Sequence, residues 1–286
     1  IGETVNLAAR LEAMAAPSQI LVSQSVYRQV HRLFRFGPQA ELTVKGMDEP
    51  VTTYTVLGVS QAIRKGLRGI PAVREVYLGR QQELRRLRGL LKSFLQDRRG
   101  RVVVVTGDAG IGKSQLVRQW LAEADRGALQ IWQGQALPSP LETGYGVFRA
   151  ALLDGTRQME ANGSGTPDIH ESLRPYLQRL LGQPLNSMDE TRIQHLAPEQ
   201  LNQLTVLAIR ERLLTATHSK PLVMVLDDFH WADELSYDAL QSLSSIISHA
   251  NLLLCVITRT QERPLLDPTT LDPDLYLELP VPPLSW

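Results

Sequence analysis

The sequence predicts an α/β fold, a parallel sheet with helices on both faces, preceded by a smaller α+β segment. Five short apolar runs near residues 102, 130, 222, 252 and 276 alternate with stretches of helical composition. That alternation builds a parallel sheet covered on both sides. The run Val102–Val105 is β-branched throughout, as expected of a strand buried on both faces. The first sixty residues follow a different rhythm: two short helices, a short strand and a hairpin.

The stretch RVVVVTGDAGIGKS, residues 101–114, organises the larger part. A strand gives way to Gly107-x-x-x-x-Gly112-Lys113-Ser114, and a helix-permissive segment, 115–124, follows. Strand, glycine-rich loop and helix form the setting of a phosphate-binding P-loop. Gly107, Gly110 and Gly112 let the backbone turn sharply, and with Asp108, Ala109 and Ile111 they bring N–H groups against phosphate oxygens. The helix start adds partial positive charge. Lys113 would reach the β- and γ-phosphates and the Ser114 hydroxyl would ligate Mg²⁺. The fold class is therefore a P-loop NTPase sheet, and ATP is the expected ligand.

A second block, LVMVLDD at residues 222–228, is a buried strand that ends in two carboxylates. The strand end would deliver Asp227 to Mg²⁺, directly or through water. Asp228 could then polarise an attacking water as a general base. The run NLLLCVIT, residues 251–258, is a further strand with Arg259 at its end, and 276–279 a last one.

Between these blocks, 129–134 is a plausible strand, and the next eighty or so residues read as helical or irregular. Leu201, Leu204, Leu207 and Ile209 suggest the apolar stripe of a helix over 198–217. No metal-ligand or nucleophile constellation appears there, and His170, His195 and His218 read as surface or capping residues.

In the first segment, LAARLEAMAA reads as a helix ending before Pro17, with Asn6 and Arg10 four apart and so on one face. Residues 20–22 suggest a strand, 25–33 a helix, and 40–44 with 51–57 a hairpin whose turn carries Lys45. From composition alone this is the end of a small α+β domain. The runs GETVNLAARLE, ILVSQSVY and ELTVKGMDEPVTTYTVLG closely resemble the C-terminal third of a class III nucleotide cyclase catalytic domain, over residues 1–58. The resemblance implies the ferredoxin-like α+β fold of that domain. It also implies that Asn6 orients the ribose, that Arg10 stabilises charge at the α-phosphate, and that Lys45 contacts the terminal phosphates. The family places its metal-binding aspartates and a base-selecting lysine upstream of this segment. It builds each site across a dimer, so a cyclase partner, either a second copy or a paired domain, is implied. Mg²⁺ is the expected metal, with Mn²⁺ an alternative at the cyclase site. This chain by itself is expected not to form cyclic AMP, and both of its ends read as cuts through a larger protein.

Residues 59–76, with Gly66, Gly69 and Pro71, read as a linker. The helix beyond it has Leu84, Leu87, Leu91 and Phe94 at three- and four-residue steps. Residues 60–101 hold twelve Lys and Arg against three Asp and Glu. With only Tyr77 and Phe94 as aromatic residues in that stretch, this reads as a solvated basic face rather than a nucleic-acid stacking platform. YLGRQQELRRL and DDFHWAD resemble the entry and the carboxylate signature of AAA+-like and STAND-type signalling ATPases. The resemblance spans 77–286. It implies that Gly79 and Arg80 lie near adenine, that Arg259 is a γ-phosphate sensor, and that the carboxylate strand is not adjacent to the P-loop strand. His230, Trp231 and Asp233 are family features with structural roles at least as well supported as catalytic ones.

Formal net charge is zero and 43% of residues are apolar, which favours neither nucleic acid nor a membrane surface. Cys255 is the single cysteine, which fits a reducing, cytoplasmic setting. No leader pattern and no apolar stretch of about 18 residues is present. The expected whole is a signalling adenylate cyclase with a regulatory ATPase domain. The rival expectations are a nucleotide-dependent switch or scaffold, and a transcriptional regulator, each with an inactive cyclase remnant.

Overall fold

The structure, a computed structural model, describes residues 3–16, 19–31, 34–42, 50–59, 79–137, 144–163, 165, 168–260, 265–266 and 272–283. The chain divides into two compact units, residues 1–78 and 79–286.

The first unit runs α1 (Glu3–Met14), β1 (Leu21–Ser23), α2 (Gln24–Val30), β2 (Phe34–Leu42) and β3 (Val51–Val59). Its strands form an antiparallel sheet in the order β1-β3-β2. β2 begins at Phe34, six residues before the expected hairpin strand. Pro38, which lacks an N–H to donate to the ladder, falls within the register shift between Phe36 and Gln39, so the strand continues past it. Tyr27 of α2 stacks on Tyr54 of β3 at 3.8 Å between centroids, with Phe36 edge-on to Tyr27. The 43–49 turn, with Lys45, lies outside the described residues.

The second unit runs α3 (Gln81–Asp97), β4 (Arg101–Thr106), α4 (Lys113–Ala122), β5 (Gln130–Gln135), α5 (Gly146–Ala161), α6 (Arg174–Leu181), α7 (Ser187–Gln194), α8 (Pro198–Thr217), β6 (Leu222–Asp227), α9 (Glu234–Ile247), β7 (Leu252–Ile257) and β8 (Tyr276–Pro280). Its five strands are parallel in the order β5-β6-β7-β4-β8. The expected five-strand α/β sheet is present, and β7 separates the P-loop strand β4 from the carboxylate strand β6. Every residue of β4 and β7 is buried. Val102, Val104, Met224 and Leu254 share one core with α5, α6, α8 and α9. Their alternates Val103, Val223 and Cys255 are as deeply buried on the other face.

The α8 stripe differs from the sequence expectation. Leu207 is 45% exposed, and the buried face runs through Thr205, Ala208, Ile209, Arg212, Leu213 and Ala216. Six residues after Leu201 the helix has turned roughly 240° from its own face, so Leu207 could not share the side of Leu201. His195 and His218 stand at the C-terminal ends of α7 and α8, as capping residues would. Among the described residues no helix is long and apolar enough to cross a membrane.

Candidate functional site

β4 ends at Thr106 and α4 begins at Lys113, so the loop between them lies at the carboxyl end of the parallel sheet, where α/β folds place ligands. Gly107 has φ 150°, and a Cβ there would lie 2.7 Å from the Val281 carbonyl oxygen, so no larger residue fits between this loop and the chain leaving β8. Lys113 is buried at 8% exposure and its Nζ donates to the carbonyls of Gly107 and Asp108, each at 2.8 Å. Burial pushes its ammonium pKa down, opposed by Asp228 and Asp227. The lysine is thus folded back over the loop.

β6 brings Asp227 to the same end of the sheet. Its Oδ1 accepts from Ser114 Oγ and from the Asp228 backbone N–H, both at 2.8 Å. Burial raises the Asp227 carboxyl, and its hydrogen bond from Ser114 works against that rise. A hydroxyl and a carboxylate, both hard oxygen ligands, are therefore in contact, which is a donor set suited to Mg²⁺. Asp228 adopts the left-handed conformation, φ 52°, which aspartate tolerates. Its Oδ2 accepts from Gln135 Nε2 at 2.8 Å.

Around this centre, Arg80 is held at φ 63° and buried, donating to Glu83 Oε1 at 3.2 Å and to the Ile111 carbonyl at 3.4 Å. It therefore reaches the loop from the segment before α3. Arg259 follows β7 with its guanidinium 5.5 Å from the centroid of Trp231. His230 is pushed toward the neutral form, by burial first and by Arg259 next. Among the described residues neither of its shielded ring nitrogens has a hydrogen-bond partner.

Residues 77–257 match the family described as the AAA ATPase domain. The chain belongs to that family. Residues 1–58 match the adenylate and guanylate cyclase catalytic domain. An uncharacterized protein, R02095, of Rhizobium meliloti (strain 1021) is 26% identical over 277 residues, covering 90% of this chain and 26% of the relative. The aggregation-specific adenylate cyclase of Dictyostelium discoideum is 39% identical over 51 residues, 18% of this chain and 4% of that protein. The chain thus spans about a quarter or less of the length of these curated relatives. Similar solved structures include the Drosophila ORC bound to DNA, at 17% identity and TM-score 0.41, covering 72% of this chain and 42% of that one. The Aeropyrum pernix ORC2 protein is another, at 13% identity and TM-score 0.36, covering 76% and 50%.

In this AAA ATPase domain the structure gathers Arg80, the 107–114 loop, Asp227 and Asp228 into one neighbourhood, with Arg259 acting electrostatically on Lys113. Asp233 is an anchor. It caps α9 through Ser236 and accepts from the backbone N–H groups of Tyr145 and Gly146 at 2.8 and 3.0 Å, fixing the start of α5. Gln135 escaped the sequence reading. The available signal was its place as the last residue of a strand, in register with Asp227. In the other unit Asn6 and Arg10 both lie on α1 and Arg10 is half-buried, while the side chain of Asn6 and the whole of Lys45 lie outside the described residues. No group of three or more His, Cys, Asp or Glu forms a metal cluster among the described residues.

Proposed function

We propose that residues 77–286 are an ATP-binding regulatory domain of STAND type. Residues 1–58 would be the C-terminal part of a class III cyclase domain, with 59–76 as the connector. The whole protein would be a signalling adenylate cyclase, forming cyclic AMP and pyrophosphate from ATP under control of the ATPase domain, in the cytoplasm. The contact between Ser114 and Asp227 carries the ATP-binding half of this reading, because it joins the P-loop to a carboxylate delivered by a non-adjacent strand. The match over 1–58 supports the cyclase half.

When ATP enters, Lys113 exchanges two carbonyl acceptors for charged phosphate oxygens, which accept stronger hydrogen bonds. Loop N–H groups and the start of α4 hold the same phosphates. Ser114 and Asp227 would hold Mg²⁺, which neutralises charge on the β- and γ-phosphates when bound. Arg80 and Gly79 flank the base side of the loop, and Arg259 with His230 faces the terminal phosphate. Asp228, released from Gln135, takes a proton from the attacking water. In the cyclase half, Asn6, Arg10 and Lys45 would serve ribose and phosphates across a dimer with a domain that supplies the metal carboxylates.

Titration with MgATP tests the ATP-binding half: nucleotide should bind, and Lys113→Ala should weaken binding by about 100-fold or more, since a buried charge-assisted contact is lost. Cyclic AMP output of the whole protein tests the regulation. Output unchanged by Lys113→Ala would refute it.

The Gln135–Asp228 hydrogen bond favours a second reading of the same domain, as a switch that holds ATP and turns it over slowly. Single-turnover hydrolysis much slower than nucleotide binding would support it.

A further inference from the structure

A cavity of about 210 Å³ lies between α5, α6 and α8, and none of its lining residues belongs to the nucleotide site. Its walls include Glu160, Asp168, Arg174, Gln178, Gln183 and Arg212. A single water occupies roughly 30 Å³ of liquid, so the space exceeds one water several-fold.

Arg212 is the unusual member. It sits on the buried face of α8 at 3% exposure. Its guanidinium lies 5.2 Å from the centroid of the Trp132 ring, and Nη2 meets the Met159 sulfur at 3.4 Å. Nη1 has no hydrogen-bond partner among the described residues. The neighbouring acid Asp168 is already paired with Arg174 at 2.5 Å. Glu160 stands exposed at the rim, with no ion pair to Arg212. Burial pulls the Arg212 guanidinium below its ordinary range. An aromatic face and a thioether compensate a cation in part, but a buried charge without a counter-ion is costly. A helix that needed only packing at this position would carry a methionine or leucine.

We infer that this cavity is an anion site in which Arg212 binds a small oxyanion of the carboxylate or phosphate class, with Gln178 and Gln183 as neutral donors. The planar guanidinium fork matches both anions. Trp132 lies on β5, three residues before Gln135, so the strand under the bound anion also carries the residue that holds Asp228.

The test uses the full chain with Lys113→Ala, which disables the P-loop as a competing phosphate site. Melting temperature is measured against inorganic phosphate and, in a separate arm, acetate, at constant ionic strength. At ten times the dissociation constant, the anion that fits should raise the melting temperature by about 3–5 °C. Adding Arg212→Met should abolish that rise without lowering the starting melting temperature. Arg212→Lys, which keeps the charge but loses the fork, should weaken binding about tenfold. No shift with either anion overturns the inference, and so does a shift that survives both Arg212 variants. A fall in melting temperature on Glu160→Gln would also overturn it, by showing that Glu160 is the counter-ion. Each of these outcomes leaves the P-loop reading as it stands.

Discussion

Ser114 on α4 and Asp227 at the end of β6 are joined by a 2.8 Å hydrogen bond, hydroxyl to carboxylate, across 113 residues of chain. The two oxygens proposed as Mg²⁺ ligands thus hold each other in place. Ser114→Ala removes one proposed ligand and leaves a half-buried carboxylate short of a donor. ATP affinity measured with Mg²⁺ should fall about 10- to 100-fold, by the scale of losing an oriented metal contact. Affinity measured in EDTA should stay the same. The stability loss should be about 1 kcal/mol, that of one hydrogen bond.

Asp228 and Gln135 give the second prediction. The carboxylate accepts the Gln135 amide at 2.8 Å through Oδ2, so the amide competes with water for that oxygen. Asp228→Asn should retain ATP binding and lose hydrolysis by about 10²–10⁴-fold, the range for a positioned general base. Gln135→Ala should move the rate the other way. Single-turnover hydrolysis separates the two outcomes from changes in affinity.

Asp233 governs a pH effect. Burial alone would raise its carboxyl, but hydrogen bonds from Tyr145, Gly146 and Ser236 outweigh burial and hold it below the ordinary range. A depressed carboxyl stabilises the fold fully above its unfolded value, near pH 4, and that contribution fades as pH falls through the folded value. Asp233→Asn should therefore flatten the acid limb of a melting curve taken from pH 6 down to pH 3. At pH 7, Asp233→Ala should cost about 2 kcal/mol, since two helix starts lose their shared acceptor.

The sheet and the glycine-rich loop were legible because each writes its reason into contiguous residues. Val102–Val105 is β-branched and buried throughout, and the spacing from Gly107 to Ser114 fixes a lysine and a hydroxyl at a helix start. The strand order came from resemblance, since periodicity holds no record of which strand lies beside which. Gln135 was invisible because its role exists only in register with Asp227, a pairing made by two strands far apart in sequence. Arg212 was hidden for the opposite reason: a charged residue reads as the solvent side of a helix, and here it lies on the face turned to the sheet. The α8 stripe failed at Leu207 because spacing by threes drifts off a face that repeats every 3.6 residues.

The seat of α5 on β5 gives the last prediction. At Gly134 an added Cβ would stand 2.1 Å from the Val147 carbonyl oxygen and 2.9 Å from the Ala151 backbone nitrogen. Neither atom can turn aside, because both belong to the backbone of α5, whose first turn is tied to Asp233. Gly134→Ala must therefore lift the helix from the strand, and should cost about 3 kcal/mol, the upper range for overpacking. Gly89, in the middle of α3 with nothing within 4 Å of its added Cβ, provides the control. There alanine should add up to about 1 kcal/mol through helix propensity. Denaturant unfolding of the two variants should give shifts of opposite sign. Equal shifts would mean that backbone entropy, rather than the close approach of α5, dominates at Gly134.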